Sequence, residues 1–502
     1  MSDGEGPPAD EPTGRLGEAL EARRDKLERL RARGVDPFAL RFDPDTSLAA
    51  LRERFGDIDA GSETDTSATV AGRIVLFRHH GKLSFATIRD GTDDVQLFLS
   101  RDSMGEDYAL LDDLDLGDIV GAEGVVMKTR KGELSVKVRR LTLLTKALRP
   151  LPEKFHGLRD PEVRLRQRYL EFATSPEART VLQARAAVLT AVRGVLTDRG
   201  FLEVETPVLQ KTHGGALARP FVTHHRVLDA DLYLRIAPEL YLKRLLVGGI
   251  ERVFEIGRNF RNEGVDRDHN PEFTMLEAYQ AYGTYEDMME LYVEMSRAAA
   301  LAVRGTLRFE YQGQPVDLEG EWPQITVAQA VSDAIGEEVS LDDTALPKLA
   351  DRLGVSVHPG WGSGKILLEL YEKLAEPHLF QPTFVVDFPR EVSPLARPHR
   401  STPGVTEQVD YLLGGMEIGP AYSELTDPDE QRARFEDQQR LKREAGDEEA
   451  HPLDEDFLRA LEHGMPPAGG LGLGIDRLTM VLADIPNIRE VIAFPLTRPE
   501  AD

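Results

Sequence analysis

Residues 254–279 restrict the possible folds more than any other stretch: two strand-like runs, 254–264 and 272–279, enclose a polar loop at 265–271. Alternation with a period of two places Arg261 and Glu263 on one face of the first run. It places Phe273, Met275, Glu277 and Tyr279 on one face of the second. Burying an arginine and carboxylates unpaired costs roughly several kcal/mol. Such faces therefore hold either a ligand or an internal salt-bridge network.

Upstream lie five short β-rich runs, 69–77, 83–88, 95–99, 118–127 and 134–138, separated by His80-Gly81, Asp90-Gly91 and Lys131-Gly132. A helical stretch, 107–114, falls between the third and fourth. This order suggests an OB-fold barrel, a frequent binder of single-stranded nucleic acid, among other five-stranded barrels. Before it, residues 15–33 carry seven basic residues, with Leu16, Leu20, Leu27 and Leu30 at helical spacing. That helix can pack on its neighbour or meet an RNA backbone. After the barrel, a long helix is expected over 178–198, stopped at Gly200, and a strand over 201–206 closed by Pro207. The segment 307–382 is more helical and carries no motif, so it reads as an insertion.

At 502 residues the chain exceeds a single core and implies two or three domains. The expected divisions are a disordered acidic tail over 1–14, a basic helix and linker over 15–66, the barrel over 67–148, a linker over 149–177, and a larger domain over 178–502. The tail resembles neither a signal nor a transit peptide, no run is long enough to span a bilayer, and a cytoplasmic location is expected. Absence of cysteine rules out disulfides, thiolate catalysis and Cys-ligated zinc. The net charge of −26 argues against a nucleic-acid partner as an average, although a polyanion meets only the local surface.

Two further constellations carry chemistry. Around Gly414-Gly415 a two-residue hairpin is expected, with Leu412 facing Glu417 and Asp410 facing Gly419. Asp410 and Glu417 then lie diagonally, roughly 7–8 Å apart. They are either solvated edge carboxylates or hard oxygen ligands for a cation such as Mg²⁺. In 469–477, alternating glycines clear a strand for a flat ligand. Asp476 is expected to cap the following helix, and Arg477 in its first turn suits a polyphosphate. Gly364-Lys365 lacks the glycine spacing of a Walker A loop.

Arg261-Asn262-Glu263 in its strand–loop–strand setting resembles motif 2 of the class II aminoacyl-tRNA synthetases. Gly472-Leu-Gly-Ile-Asp-Arg477 resembles motif 3, and the long helix with the strand ending at Pro207 resembles motif 1, the dimer-forming element. The runs 214–225 and 233–244 resemble the lysine-specific members. The resemblance implies an α+β fold: an N-terminal five-stranded OB-fold β-barrel plus an antiparallel catalytic sheet flanked by helices, with a helical insertion. It implies ATP, L-lysine and tRNA(Lys) as substrates, Mg²⁺ bound with ATP, and a homodimer, with neither DNA nor membrane as partner.

Residue by residue, the resemblance gives ATP Arg261, Glu263, His269, Asn270, Phe273, Asp410, Glu417 and Arg477, of which Arg261 and Arg477 are catalytic. It gives lysine Gly215, Glu239, Arg261, Glu277, Tyr279, Tyr422 and Glu424, with Glu424 on the ε-ammonium. Asp410 and Glu417 hold Mg²⁺, and Arg78, Phe85, Gln96 and Glu133 meet the anticodon. Phe85 read without the resemblance is as suited to the barrel core. Two positions depart from the pattern: Asp410 stands where glutamate is usual, and Pro420-Ala421 where Asn-Gly or a small polar pair is usual. A paralogue that acylates a non-tRNA acceptor and a non-catalytic tRNA-binding regulator are the alternatives.

Overall fold

The structure, a computed structural model, describes residues 14–152, 160–358, 360–445 and 452–497. The tail expected over 1–14 lies outside them except for Gly14, as does part of the expected 149–177 linker. The described residues fall into two units, one from 1–160 with 169–174 and one from 161–168 with 175–502.

In the first unit, helices α1 (Arg15–Ala32) and α2 (Leu48–Phe55) accompany strands β1 (Glu63–His80), β2 (Leu83–Arg89), β3 (Asp94–Ser100), β4 (Ile119–Lys128) and β5 (Leu134–Thr145). The strands close into a barrel in the order β1-β2-β3-β5-β4. Strict alternation in β2 and β3 sends Ala86, Ile88, Val95, Leu97 and Leu99 into the barrel core and their neighbours outward. The stretch expected as a helix over 107–114 is a 3₁₀ segment, Gly105–Asp113, after a short α-turn. Helix α1 packs on its neighbours within this unit, as the first of its two readings has it. Leu27 and Leu30 are buried, and buried Arg23 donates to the carbonyls of Ala147, Arg149 and Leu116. Arg29 and Arg33 pair with Asp113.

The second unit is built on an eight-stranded sheet. Its elements are α3 (Pro176–Asp198), β6 (Leu202–Glu203), α4 (Glu239–Val247), β7 (Arg252–Phe260), β8 (Glu272–Ala281), α5 (Tyr285–Arg304), β9 (Gln324–Thr326), β10 (Thr383–Val386), β11 (Gln408–Leu413), β12 (Met416–Ser423), β13 (Ala468–Gly474) and α6 (Ile475–Ala483). The order is β9-β10-β11-β12-β13-β8-β7-β6, antiparallel apart from parallel pairs at the two edges. Ser175 caps α3 with Pro176 in its first turn, and the chain leaves it at Gly200, where φ is +79°. Helices α3, α5 and α6 cover one face of the sheet with Val188, Val192, Leu291, Tyr292, Leu478 and Val481 against Leu276, Val409, Tyr411 and Leu473. The opposite face carries the polar residues.

Three expectations need correction. The strand expected over 201–206 is shorter: Leu202–Glu203 pairs with Val253 and Phe254, and one more ladder bond, from Val204 N to Phe254 O, follows before the chain reaches Pro207. Segment 307–382 is not simply helical. It opens with the hairpin Arg308–Tyr311 and Gln314–Asp317, then gives β9 to the edge of the main sheet before its helices Val327–Ile335, Leu346–Arg352 and Ser363–Leu374. In the β11–β12 hairpin Leu412 faces Glu417 as expected, but Asp410 faces Pro420 rather than Gly419, because β12 bulges at Ile418, between the Leu412 and Tyr411 pairs.

The hairpin turn needs two residues at positive φ, and Gly414 and Gly415 adopt +67° and +74°. A Cβ on Gly415 would lie 2.8 Å from the Pro377 carbonyl oxygen. Gly415→Val is therefore expected to destabilise the second unit by about 1–3 kcal/mol. Urea titration followed by tryptophan fluorescence checks this, since both tryptophans, Trp322 and Trp361, lie in that unit.

Candidate active site

Strands β8, β12 and β13 meet beneath a cavity of about 490 Å³. It is bordered by Gly215, Glu239, Arg261, Glu263, His269, Asn270, Phe273, Glu277, Tyr279, Asp410, Glu417, Tyr422 and Arg477. Of the residues the resemblance assigned to ATP and lysine, only Glu424 is missing from this border. It lies just under the floor, 1% exposed. A larger hollow of about 820 Å³ runs along Glu162, Arg166, Val265–Arg267 and Asn487, and contains none of these groups.

At one end three carboxylates converge. Glu277 accepts the Tyr279 hydroxyl at 3.0 Å. Glu239 Oε1 and Glu424 Oε2 meet the same ammonium, Lys243 Nζ, at 2.6 and 2.5 Å. Neither buried Glu424 oxygen has a hydrogen-bond partner among the described residues: Oε2 has the ion pair with Lys243 and Oε1 has none. Burial pushes all three carboxyl groups upward; Lys243 works against this at each of them, and Glu239 adds to the rise of Glu277 and Glu424. Lys243 itself is held above its ordinary range, since its two carboxylates outweigh burial. Gly470 explains how such crowding is possible: it pairs with Tyr279 on one side and Tyr422 on the other. A Cβ there would lie 2.1 Å from Glu424 Oε1 and 2.4 Å from the Tyr279 ring. This glycine makes room for protein side chains, whereas Gly472 and Gly474 border the cavity itself, as expected for a strand cleared for a ligand.

At the other end, Arg261 follows β7 rather than lying within it. Its N–H bonds Pro271 O, and Glu263 N turns back onto Arg261 O. The loop, not strand alternation, therefore sets Arg261 and Glu263, which corrects the sequence expectation. Arg261 lies over the Phe273 ring at 5.1 Å, and its Nε is buried without a partner among the described residues. Burial lowers its guanidinium from the ordinary range, against Glu263 and Glu417. Arg477 donates to Glu417 O at 2.6 Å and approaches His269 Nε2 at 3.0 Å. Because Arg477 can only donate, that nitrogen is the acceptor, and the His269 proton sits on Nδ1 facing Asp266. Asn270 donates to Glu272 O, leaving its buried Oδ1 without a partner among the described residues.

Asp410 and Glu417 share this end despite the bulge. Burial, then Glu417, push the Asp410 carboxyl well above the ordinary range. Sequence reasoning passed over Glu372 and Glu376, which come from the segment that showed no motif. Burial and Glu417 push Glu376 up to about 7, and Glu376 accepts Glu417 N at 3.3 Å. It also passed over Lys243, although the Glu239-x-x-x-Lys243 spacing places both on one helical face. Asp476 does not cap α6, whose cap position is Gly474. It lies in the first turn, accepts Thr274 N at 2.7 Å and pairs with Arg185 of α3.

The barrel has its own candidate face. Arg78, Phe85, Phe98 and Lys137 pair in succession across β1, β2, β3 and β5. Phe85 points outward, half-buried and edge-to-face with Phe98 at 5.6 Å, so it is not a core residue. Gln96 donates to Ser135 Oγ at 2.9 Å, and Glu133 is exposed.

A barrel of this order in one unit, and in the other a cavity floored by an antiparallel sheet and edged by two arginines and paired carboxylates, are the parts of a nucleotide-activating synthetase with a nucleic-acid-binding module. Residues 160–498 match the family model for class II tRNA synthetases of the D, K and N group, and residues 68–144 match that for OB-fold nucleic acid binding domains. The chain belongs to the class II tRNA synthetases. It is 50% identical to a lysine–tRNA ligase of Moorella thermoacetica over 96% of this chain and 98% of that protein. Lysine–tRNA ligases of a Synechococcus strain and of Thermosynechococcus vestitus are 50% and 49% identical, each over 97% of this chain and over 100% and 98% of their own lengths.

Replacing Asp476 with alanine leaves Arg185 uncompensated and Thr274 N unbonded, a loss expected to cost about 3 kcal/mol. The same urea titration reads it, and a midpoint unchanged from wild type would show that Asp476 has no such role.

Proposed function

We propose that the chain is a lysine–tRNA ligase that activates L-lysine with ATP and transfers it to the 3′ end of tRNA(Lys). One observation carries the specificity: a fully buried carboxylate, Glu424, just under the floor of the cavity that Glu239 and Glu277 border, has an oxygen with no partner among the described residues. A buried acceptor without a donor is costly, and the ε-ammonium of lysine satisfies it. The α-amino group then lies near Glu239, Glu277 and Gly215, with Tyr279 and Tyr422 walling the aliphatic chain. Pro420 supplies no side-chain donor here, and its carbonyl accepts from the buried Tyr292 hydroxyl at 2.7 Å.

Adenine lies on Phe273, and its amino group donates to Glu263. Arg261, now over that ring, has a buried Nε free to turn onto the α-phosphate, where its planar fork holds two oxygens. Arg477 and His269 face the γ-phosphate, beside Asn270. Asp410 and Glu417, close together and short of a counter-charge, are suited to hold Mg²⁺. Bound with ATP, Mg²⁺ would supply charge neutralisation on the phosphate oxygens. The lysine carboxylate, already ionised, attacks the α-phosphate, so the protein's part is positioning and charge stabilisation rather than base catalysis. Transfer to the terminal ribose hydroxyl follows, with the adenylate phosphate taking the proton.

On the barrel, Phe85 stacks on an anticodon base, Arg78 meets the backbone, and Gln96 and Glu133 hydrogen-bond base edges. Homodimer formation is supported by exposed Leu202 in the motif 1 region and by exposed Leu209, Val222, Val227 and Leu228 in the segment that follows it. No helix among the described residues is long and apolar enough to cross a membrane. A cytoplasmic site of action suits a translation enzyme. The paralogue and regulator readings fit less well, since the OB-fold barrel is present and the arginines and carboxylates of both sites are together.

A filter assay of lysylation on tRNA bearing a UUU anticodon tests the proposal. Lysylated product and a pyrophosphate exchange rate fastest with L-lysine are expected; faster exchange with ornithine overturns the specificity. Arg261→Ala is expected to lower the exchange rate by about two orders of magnitude or more with an unchanged unfolding midpoint. Near-normal adenylate formation in that variant would remove Arg261 from its role.

A further inference from the structure

Resting on the proposed reading of the pocket, we infer that Lys243 is a positioning residue for lysine selection, an internal ammonium that holds one oxygen of Glu239 and one of Glu424 so that the other oxygens face the substrate. The geometry is specific. Lys243 Nζ has no exposure and sits between Glu239 Oε1 and Glu424 Oε2 at 2.6 and 2.5 Å. The remaining Glu424 oxygen, Oε1, has no hydrogen-bond partner among the described residues. The remaining Glu239 oxygen, Oε2, lies 3.6 Å from the point a Cβ on Gly215 would occupy, at the cavity border. The Tyr279 ring centroid lies 6.0 Å from Nζ.

Two consequences follow from charge. Counted as ionised, Glu239, Glu277 and Glu424 stand against Lys243 and Arg261, an excess of one negative charge. A substrate with two ammonium groups and one carboxylate balances it. Without Lys243 the excess doubles in a buried space, and carboxyl groups already pushed upward by burial take up protons instead. A protonated Glu424 no longer attracts an ammonium more strongly than a methyl group. Lys243 thus sets both the aim and the charge of the selective carboxylate while touching neither ATP nor the reacting atoms.

The test measures ATP–pyrophosphate exchange with L-lysine and with L-norleucine, which lacks the ε-ammonium, for the full chain and for Lys243→Met. Wild-type exchange with L-lysine tests the functional reading; the variant-to-wild-type ratio tests Lys243. The expected result is a KM for L-lysine raised about tenfold or more, a KM for ATP within about twofold, and a reduced preference for lysine over norleucine. The lysine KM of the variant should also fall as pH rises, as Glu239, Glu277 and Glu424 ionise, more steeply than in wild type. A lysine KM within about twofold of wild type, or lysine and ATP constants that rise together, overturns the inference. Lys243→Cys guards against a folding defect. The chain has no other cysteine, so 2-bromoethylamine applied in urea before refolding restores an ammonium at that one position. Recovery of the lysine KM after this treatment supports the inference, and an unchanged KM in the refolded protein overturns it.

Discussion

Carboxylates withdrawn from water stay ionised only where cations meet them, and the second unit is arranged around two answers to that demand. At the amine end of the cavity the answer is internal. Helix α4 carries Glu239 and Lys243 one turn apart, so one element delivers both a carboxylate and its counter-ion. Lys243 reaches a second carboxylate, Glu424, past the end of β12. That contact requires side chains to cross β13, and β13 permits it because Gly470 lacks a Cβ. The glycine-rich strand, the helix register and the carboxylate pair are therefore one arrangement.

The phosphate end leaves its demand open. Asp410 and Glu417 approach each other across the hairpin, and Glu372 and Glu376 add further acidity from the segment between β9 and β10. Arg477 borders the cluster, yet two of its donors are spent on the backbone oxygens of Glu417 and Asp268. A group with a raised pKa binds protons better than it does in the unfolded chain. Above pH 7, where Glu376 ionises, this cluster works against folding and a bound cation relieves it. Strain of this kind without ligand is what a binding site looks like; the amine end, with Lys243 in place, keeps an excess of one negative charge.

Most of this fold was legible because its signals are local. Glycines at a two-residue turn, β-rich runs bounded by turn signals in the barrel, and Gly200 just past α3 each state their own structure. What escaped was set by distant partners. The bulge in β12 depends on β11, so Asp410 was placed opposite Gly419 when it faces Pro420. Asp476 was given a cap because its position invites one, while Arg185 and Thr274, remote in sequence, claim it instead. Period-two reasoning assigned Arg261 to a strand that stops one residue earlier. Glu372 and Glu376 were invisible because nothing local marks a helical segment as wall of a site that lies elsewhere in the chain.

The same distinction resolves the chain's charge. A net charge of −26 seems to oppose a polyanionic partner, and the basic helix α1 seems to be the exception. Yet Arg23, Arg29 and Arg33 are committed to barrel carbonyls and to Asp113, so they give little to a ligand. The barrel wall is better suited, where Phe85 and Phe98 form an aromatic step flanked across the strands by Arg78 and Lys137. Stacking on such a surface does not depend on overall charge. Backbone attraction does, and it is salt-dependent. On the proposed reading, shape and stacking rather than overall charge carry the affinity of so acidic a chain for its RNA.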